Sequence, residues 1–342
     1  MPTPDLSEFH THTENDELRR IVTDLQQRLR RSKAKTADLV EATHQGARDA
    51  MLTLGPVPSV PKPKLDKRTG SPEVALWHLT DWQGAKRTVT YNSDVMRRRV
   101  LQYVDVAEKI TAIGRKDHPV REALILLTGD MVEGLFNFPT QPFEVDQTIF
   151  GQYVTVSRLL VDVVLRALAC YEKVTVVSEW GNHGRIGSKR SAVPPADNFD
   201  RMCYELARQL LGGQQGRLVW DDCPDDIQHA EVGNYRALAI HGDEIGRNGF
   251  ASKNTIVQHV NRWRSGAHRW EFRDVYVGHY HTHGEDALAN GEGSIYWTGS
   301  TESDNRYAGD NLASSALPSQ RINFVDPAKG RVTSTHKIWL DV

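Results

Sequence analysis

Five short apolar runs, each followed closely by side chains able to bind a hard or borderline metal ion, constrain this chain more than any other feature of it. Ala75–Leu79 leads to Asp81 and Gln83, Ala123–Leu127 to Gly129 and Asp130, and Val174–Val177 to Gly181, Asn182 and His183. Arg236–Ile240 leads to His241 and Gly242, and Asp274–Val277 to Gly278, His279 and His281. Runs of this length read as buried strands, and buried strands deliver the residues at their ends into one shared cleft. A single run would mean little, since an Asp at a strand end often caps the next helix and Gly-Asn-His is a reasonable turn. Five in succession require independent coincidences at five places.

Between the runs lie helical stretches at about 94–113, 151–170, 198–211 and 255–263, which makes the first two-thirds of the chain α/β. Beyond Arg217, strands joined by turns take over at 226–232, 235–240, 294–297, 320–325 and 332–340, the last two closing a hairpin about Asp326–Gly330. The expected fold class is therefore α/β, a two-sheet β-sandwich flanked by helices, over residues 73–342. Ahead of it, the proline-rich Gly55–Pro63 cannot continue a helix, so 55–72 reads as an extended linker. Residues 1–54 read as a polar tail and a basic amphipathic helix, an N-terminal helical extension. Within it Leu18, Ile21, Leu25 and Leu29 form one apolar stripe among Arg19, Arg20, Arg28, Arg30 and Arg31. That stripe suits a short coiled coil, a helix docked on the catalytic domain or a basic arm on DNA; it spans too few heptads for a coiled coil to be asserted, and docking or weak self-association is favoured.

A chain of 342 residues with a formal net charge of −2 can bury a substantial core and does not announce a nucleic-acid binder, although a local basic groove would suffice for one. Cys170, Cys203 and Cys223 are too few and too far apart for a disulfide framework or a cysteine zinc site, and are expected as thiols in a reducing compartment. Neither a signal-peptide core nor a run of roughly 20 apolar residues is visible, so no membrane partner and a cytoplasmic location are expected.

Hydrolysing a phosphate ester near neutral pH needs a hydroxide, neutralised charge on the phosphoryl oxygens and help for the leaving oxygen. Two metal ions bridged by a carboxylate can meet all three needs. The ordered series Asp81-x-Gln83, Gly129-Asp130, Gly181-Asn182-His183, His241-Gly242 and Gly278-His279-x-His281 resembles the calcineurin-like metallophosphoesterase superfamily over about 74–300. It looks most like the nuclease branch, of the SbcD type found in DNA repair and in phage-encoded relatives. The resemblance implies that Asp81, Gln83, Asp130 and His281 hold a first metal and that Asp130, Asn182, His241 and His279 hold a second, with Asp130 as the bridge. It further implies that a bridging hydroxide attacks phosphorus while His183 assists the leaving group. Two divalent ions follow as cofactors, Mn2+ first, with Mg2+, Fe2+ and Zn2+ as alternatives.

Two departures from the family pattern bear on this. Gln83 stands where the family commonly has His and offers a neutral, harder, weaker ligand, which favours Mn2+ or Mg2+ at the first site. Gly184 stands where an acidic residue usually orients the catalytic His, so His183 needs another partner and Arg185 is freed to meet a substrate phosphate. Among the remaining histidines, His10 and His12 are expected at the surface, His78 in the core, and His283 as a candidate neighbour of the ligands. Asp243 and Glu244 are candidates to orient a ligand imidazole.

Basic residues follow several of these blocks: Lys86 and Arg87, then Arg185, Lys189 and Arg190, then the Arg262–Arg273 stretch with Trp263 and Trp270. Read as substrate contacts, Arg185 and Lys189 would meet phosphate while Trp263 and Trp270 stack on bases; read structurally, they are core aromatics and a solvated face. The leading expectation is a DNA nuclease, exonuclease or single-strand endonuclease, with DNA and an ATPase as partners and homo-oligomers through the N-terminal helix or catalytic domain. The alternatives are a small-molecule phosphoesterase acting on a cyclic nucleotide or phosphomonoester, and a metal-bound scaffold without turnover.

Overall fold

The computed structural model describes residues 57, 59–187, 197–214, 216–221, 225–245, 251–303 and 317–340, together with scattered positions between 20 and 49, all of them helical. The chain divides into two compact units, Met1–Ala50 and Met51–Val342. Of the N-terminal stripe only Ile21 is described, and Leu18, Leu25, Leu29, His10 and His12 lie outside the described residues.

The second unit holds two mixed sheets flanked by helices, the architecture expected of the sequence. The first sheet is built on three parallel strands, β1 (Glu73–Leu79), β2 (Val120–Thr128) and β3 (Lys173–Glu179), with β4 (Leu218–Trp220) beyond β3. On the other side of β1 the hairpin of β10 (Ser319–Asp326) and β11 (Arg331–Trp339) adds antiparallel, its tight turn at the expected Asp326–Gly330. In the second sheet, β6 (Tyr235–Ile240), β7 (Asp274–Val277) and β9 (Ser294–Trp297) run parallel, and β5 (Gln228–Val232) and β8 (Gly284–Ala287) pair antiparallel at the two edges.

Alternation along the strands explains why the sheets stack. From β1 and β2, Val74, Leu76, Leu124 and Leu126 face inward and meet Ala230, Tyr235, Ala237, Tyr276 and Tyr296 of the second sheet in one apolar core. The alternate residues face outward, where Trp77 packs edge-on against Tyr103 of helix α1 (Ser93–Gly114) and against Tyr171. Helices α2 (Ile149–Cys170) and α3 (Phe199–Leu210) also flank the first sheet, and α4 (Lys253–Arg262) covers the second through Ile256 and Val260. Each of these four helices begins on a side-chain cap: Asn92, Thr148, Asn198 and Ser252 accept from Val95, Gly151, Asp200 and Thr255 N–H respectively.

His78 behaves as a core residue. It is fully buried, with Nε2 2.8 Å from Thr128 Oγ1 and Nδ1 2.6 Å from Thr298 Oγ1. Burial, with Arg321 nearby, holds it neutral, well below the usual imidazole range. The stretch before β1 has no regular secondary structure and is tied to the unit: Arg217 donates to Val60 O, Gln214 Oε1 accepts from Val60 N–H, and Asp66 accepts from Val120 N–H. Cys170 and Cys203 are free thiols. No helix among the described residues is long and apolar enough to cross a membrane.

Candidate metal centre

Ligand candidates account for all but one of the non-glycine positive-φ positions among the described residues. Among the described residues, positive φ at a non-glycine occurs at Asp81 (52°), Gln83 (49°), Ala85 (75°), Asp130 (54°), His279 (62°) and His281 (51°). All but Ala85 are ligands expected from the sequence. Such a conformation costs an ordinary residue about 1–3 kcal/mol and persists only where its surroundings over-determine it.

Here the surroundings are the other strand-end loops. The loop after β1 donates to the loop after β2 through Asp81 N to Gly129 O (3.0 Å), Gln83 N to Asp130 O (2.9 Å) and Gly84 N to Met131 O (2.8 Å). Asp200, in the first turn of α3, accepts from Asp130 N (2.8 Å), Gly181 N (2.9 Å) and Val132 N (3.0 Å), so one buried carboxylate joins the loops after β2 and β3. The two sheets meet at Asp81, whose Oδ2 accepts from Thr80 Oγ1 (2.7 Å) and from His279 N (2.9 Å). Gly181 is required by closeness: a Cβ there would lie 2.1 Å from Asp130 Oδ1.

These loops bring the expected ligands together. His241 Nε2 lies 3.1 Å from Asp130 Oδ2 and 3.0 Å from Asn182 Oδ1. Ligand atoms of Asp130, His241 and His279 all fall within 4.8 Å of one another. On the first-site side, His281 Nε2 is 3.2 Å from Asp81 Oδ1, and Gln83 Nε2 is 3.3 Å from Asp130 Oδ2. Gln83 Oε1 is buried without a hydrogen-bond partner. Because amide oxygen and nitrogen are interchangeable by a half-turn, Gln83 can present that oxygen toward Asp130 once a cation sits between them. Carboxylate, amide and imidazole donors without thiolate suit Mn2+, Mg2+, Fe2+ or Zn2+, so the residues fit a divalent metal.

Tautomers follow from the outer partners. His241 Nδ1 is 2.7 Å from Thr128 O and must donate to it, which leaves Nε2 facing Asp130 and Asn182. The imidazole pKa of His241 is raised well above its ordinary value: burial opposes this, and the Asp130 charge outweighs burial. His281 is pushed up to about 10, burial again being outweighed, here by Asp81 and Glu302. For His279, burial and the neighbouring His241 charge lower the value to about 4, so it is already neutral. Asp130 is held far below the carboxylate range, since His241 and His183 overcome its burial.

His183 stands beside Asp130, the candidate bridge, and outside the group of candidate ligands. Its backbone N–H donates to Asp130 Oδ1 (2.7 Å), and its Nε2 is 3.9 Å from Asp130 Oδ2. The partner that Gly184 could not supply is Glu133, whose Oε2 lies 3.1 Å from His183 Nδ1. Gly184 has no room for a side chain, since a Cβ would lie 2.4 Å from Asn198 Oδ1. Glu133 went unnoticed in the sequence although it sits three residues past Asp130, a lone carboxylate after Met131 and Val132. Glu302 was missed as well; its Oε2 is 3.4 Å from His281 Nδ1.

The expected substrate contacts fare differently. Arg185 is tied to Asp243, Nη1 to Oδ2 2.6 Å, with 12% of its side chain exposed. Asp243 pairs with Arg185, Glu244 accepts from the backbone N–H of His241 and Gly242, and Thr128 O faces His241 Nδ1. Lys86, read in sequence as a basic loop residue, is buried among Glu133, Glu144 and Glu302. Trp263 and Trp270 pack half-buried against the core beneath α4, Trp270 stacked on His229 at 4.4 Å. Lys189 and Arg190 lie outside the described residues. His283 is held neutral at about 3 by burial and the charges of Arg321 and Lys337.

No family model matches the chain, and no curated protein matches it. Solved structures do. Vps29 complexed with Zn2+ from Entamoeba histolytica is 10% identical with a TM-score of 0.33, covering 78% of this chain and 99% of its own. A putative 5'-nucleotidase from Staphylococcus aureus is 11% identical with a TM-score of 0.35, covering 79% of this chain and 55% of its own. The sulfate thiohydrolase SoxB of "Termus thermophilus" is 10% identical with a TM-score of 0.33, covering 80% and 57%. The chain spans little more than half the length of these last two. Similarity at this level transfers no chemistry, which must come from the site itself.

Proposed function

We propose that this chain is a divalent-metal-dependent phosphoester hydrolase of the metallophosphoesterase type. The observation that carries the reading is the convergence of Asp81, Gln83, Asp130, His279 and His281, all at positive φ, on a centre completed by Asn182 and His241. Strain concentrated on one set of polar residues is the mark of a site held for chemistry rather than for packing.

Asp81, Gln83, Asp130 and His281 would hold one ion and Asp130, Asn182, His241 and His279 the other. When bound, the pair supplies charge neutralisation for the phosphoryl oxygens and lowers the pKa of water. The chain's own residues do the rest. Thr128 O fixes the tautomer of His241, and Thr80 with the His279 N–H fixes the Asp81 carboxylate. With Nδ1 facing Glu133, a protonated His183 presents its Nε2–H into the cleft beside Asp130, where a departing alkoxide can take it. The His183 pKa supports this role: burial opposes protonation, but Glu133 and Asp130 prevail and raise it above the ordinary value. Arg185, paired with Asp243, would be a secondary contact for a substrate phosphate.

DNA is the substrate we would test first, as a nuclease reading requires. Internal pairing of Lys86 and Arg185 with carboxylates favours a second reading, a small phosphoester such as a cyclic nucleotide or phosphomonoester, because two of the cations counted on for a DNA groove are neutralised. The deciding experiment is Mn2+-dependent release of label from end-labelled single- and double-stranded DNA, run beside bis(4-nitrophenyl) phosphate. Asp130→Asn should abolish turnover of whichever substrate is cleaved, and His183→Ala should lower turnover while keeping metal content. Metal binding without cleavage of any phosphoester would leave only a scaffold, and loss of both ions in His183→Ala would contradict its assignment.

A further inference from the structure

The geometry points to Lys86 as the positioning residue that holds both halves of the candidate centre in register, through two buried glutamates. The inference rests on the metal-site reading above and deepens it.

Lys86 follows the strained loop after β1, where its N–H donates to Gln83 O (2.9 Å), and it is only 8% exposed. Its Nζ lies 3.4 Å from Glu133 Oε1 and 3.7 Å from Glu302 Oε1, with the more exposed Glu144 at 3.8 Å. Each buried glutamate divides its oxygens in the same way. Oε1 faces Lys86, and Oε2 faces a histidine Nδ1: His183 from Glu133 at 3.1 Å and His281 from Glu302 at 3.4 Å. Glu133 and Glu302 are 1% and 4% exposed, so without a cation between them two carboxylates would sit close together out of water.

The arrangement does two things. First, it joins three separate loops, those after β1, β2 and β9, whose remaining residues include Asp81, Gln83 and Asp130. Second, it sets the orientation of two imidazoles with different tasks, a candidate ligand of the first ion and the candidate proton donor. Carboxylates behind metal-binding histidines fix ring orientation and raise basicity. One lysine fixing two such carboxylates makes ligand placement and proton delivery depend on a single side chain that touches neither ion nor substrate.

The test is calorimetric Mn2+ binding to the full chain stripped of metal, together with kcat for bis(4-nitrophenyl) phosphate at saturating Mn2+. Lys86→Met, which keeps length and loses charge, should weaken Mn2+ binding about 10- to 100-fold and also lower kcat. Lys86→Arg should restore most of both. Glu302→Gln should weaken Mn2+ binding, and adding Lys86→Met to it should produce little further loss of affinity. A merely structural lysine would instead give losses that multiply in the double variant, and that result overturns the inference, as does wild-type affinity in Lys86→Met. Should Lys86→Met fail to fold, Glu302→Gln decides, with unchanged Mn2+ affinity overturning the inference. A wild type that binds no Mn2+ refutes the metal-site reading itself and is told apart from the other outcomes by that fact.

Discussion

Loading the candidate centre with Mn2+ should expel protons, and their number can be worked out residue by residue. Before a metal binds, Asp81 and Glu302 push His281 up to about 10 and Asp130 holds His241 well above its ordinary value, so both favour the protonated form at neutral pH. Their Nδ1 atoms face Glu302 Oε2 and Thr128 O, so the proton that a metal displaces is the one on Nε2. His279, lowered to about 4, and Asp130, held far below the carboxylate range, are ready to ligate and release nothing. One proton therefore leaves per ion, from His281 at the first site and His241 at the second. The apparent association constant of the first site should rise about tenfold per pH unit between roughly pH 6.5 and 8, or about 1.4 kcal/mol per unit, and that of the second should change in the same direction. The sign follows from linkage. A His pKa raised by folding stabilises the metal-free fold below the unfolded value of 6.5, and that contribution is lost as pH climbs through about 10 for His281. Protons and metal thus compete for the same two nitrogens. Titration calorimetry in buffers of different ionisation enthalpy counts the released protons directly, and His281→Ala should remove one of the two. Binding that is independent of pH over this interval, with no proton released, would refute the reasoning.

Other consequences can be measured without assuming a substrate. Asp200→Ala should lower unfolding free energy by about 3 kcal/mol or more, because three buried N–H groups, of Asp130, Val132 and Gly181, lose their acceptor; urea unfolding checks it. Gly278→Ala should abolish tight Mn2+ binding in calorimetry, because the added Cβ would fall 2.2 Å from Thr80 Oγ1 and 2.8 Å from Asp81 Oδ2. Away from the centre, burial raises the Asp274 carboxyl from 3.8 to about 6, although Ser294 N–H, at 2.8 Å, favours its ionised form. The folded state therefore keeps that proton longer than the unfolded chain, and stability falls as pH rises between about 4 and 6, by up to about 3 kcal/mol. Asp274→Asn should flatten that dependence and raise stability at pH 7, as read by urea unfolding across the same interval.

Much of the fold was legible because the strands of the sheets' interior advertise themselves. Ala123–Leu127 is apolar on both faces, and Val174–Val177 is apolar but for Thr175; both runs are covered by helices outside and by the opposing sheet inside. β4 and β8 escaped notice for the converse reason. Leu218–Trp220 has three residues, too few to show a period, and Gly284–Ala287 has a composition poor in strand formers that only pairing with β9 makes extended. The candidate ligands stood out as metal-binding residue types at strand ends, and their assignment to two ions came from the family resemblance. Left-handed backbone at Asp81, Gln83, Asp130, His279 and His281 was not legible, since none of these residue types demands it and inter-loop hydrogen bonds impose it.

Charge was the least readable property, and the reason is general to a chain of this composition. With 42 Lys and Arg against 44 Asp and Glu, any cation placed near a cleft has carboxylates from distant segments competing for it. Glu133 and Glu302 are 47 and 216 positions from Lys86, and Asp243 is 58 from Arg185, so sequence proximity to the metal blocks says nothing about which partner wins. Burial decides it. A buried lysine beside two buried carboxylates gains more from them than an exposed phosphate contact could return, because attraction strengthens as water is withdrawn. Lys86 and Arg185 stand next to the candidate ligand blocks in sequence, and the fold pairs the first with Glu133 and Glu302, whose other oxygens face His183 and His281, and the second with Asp243.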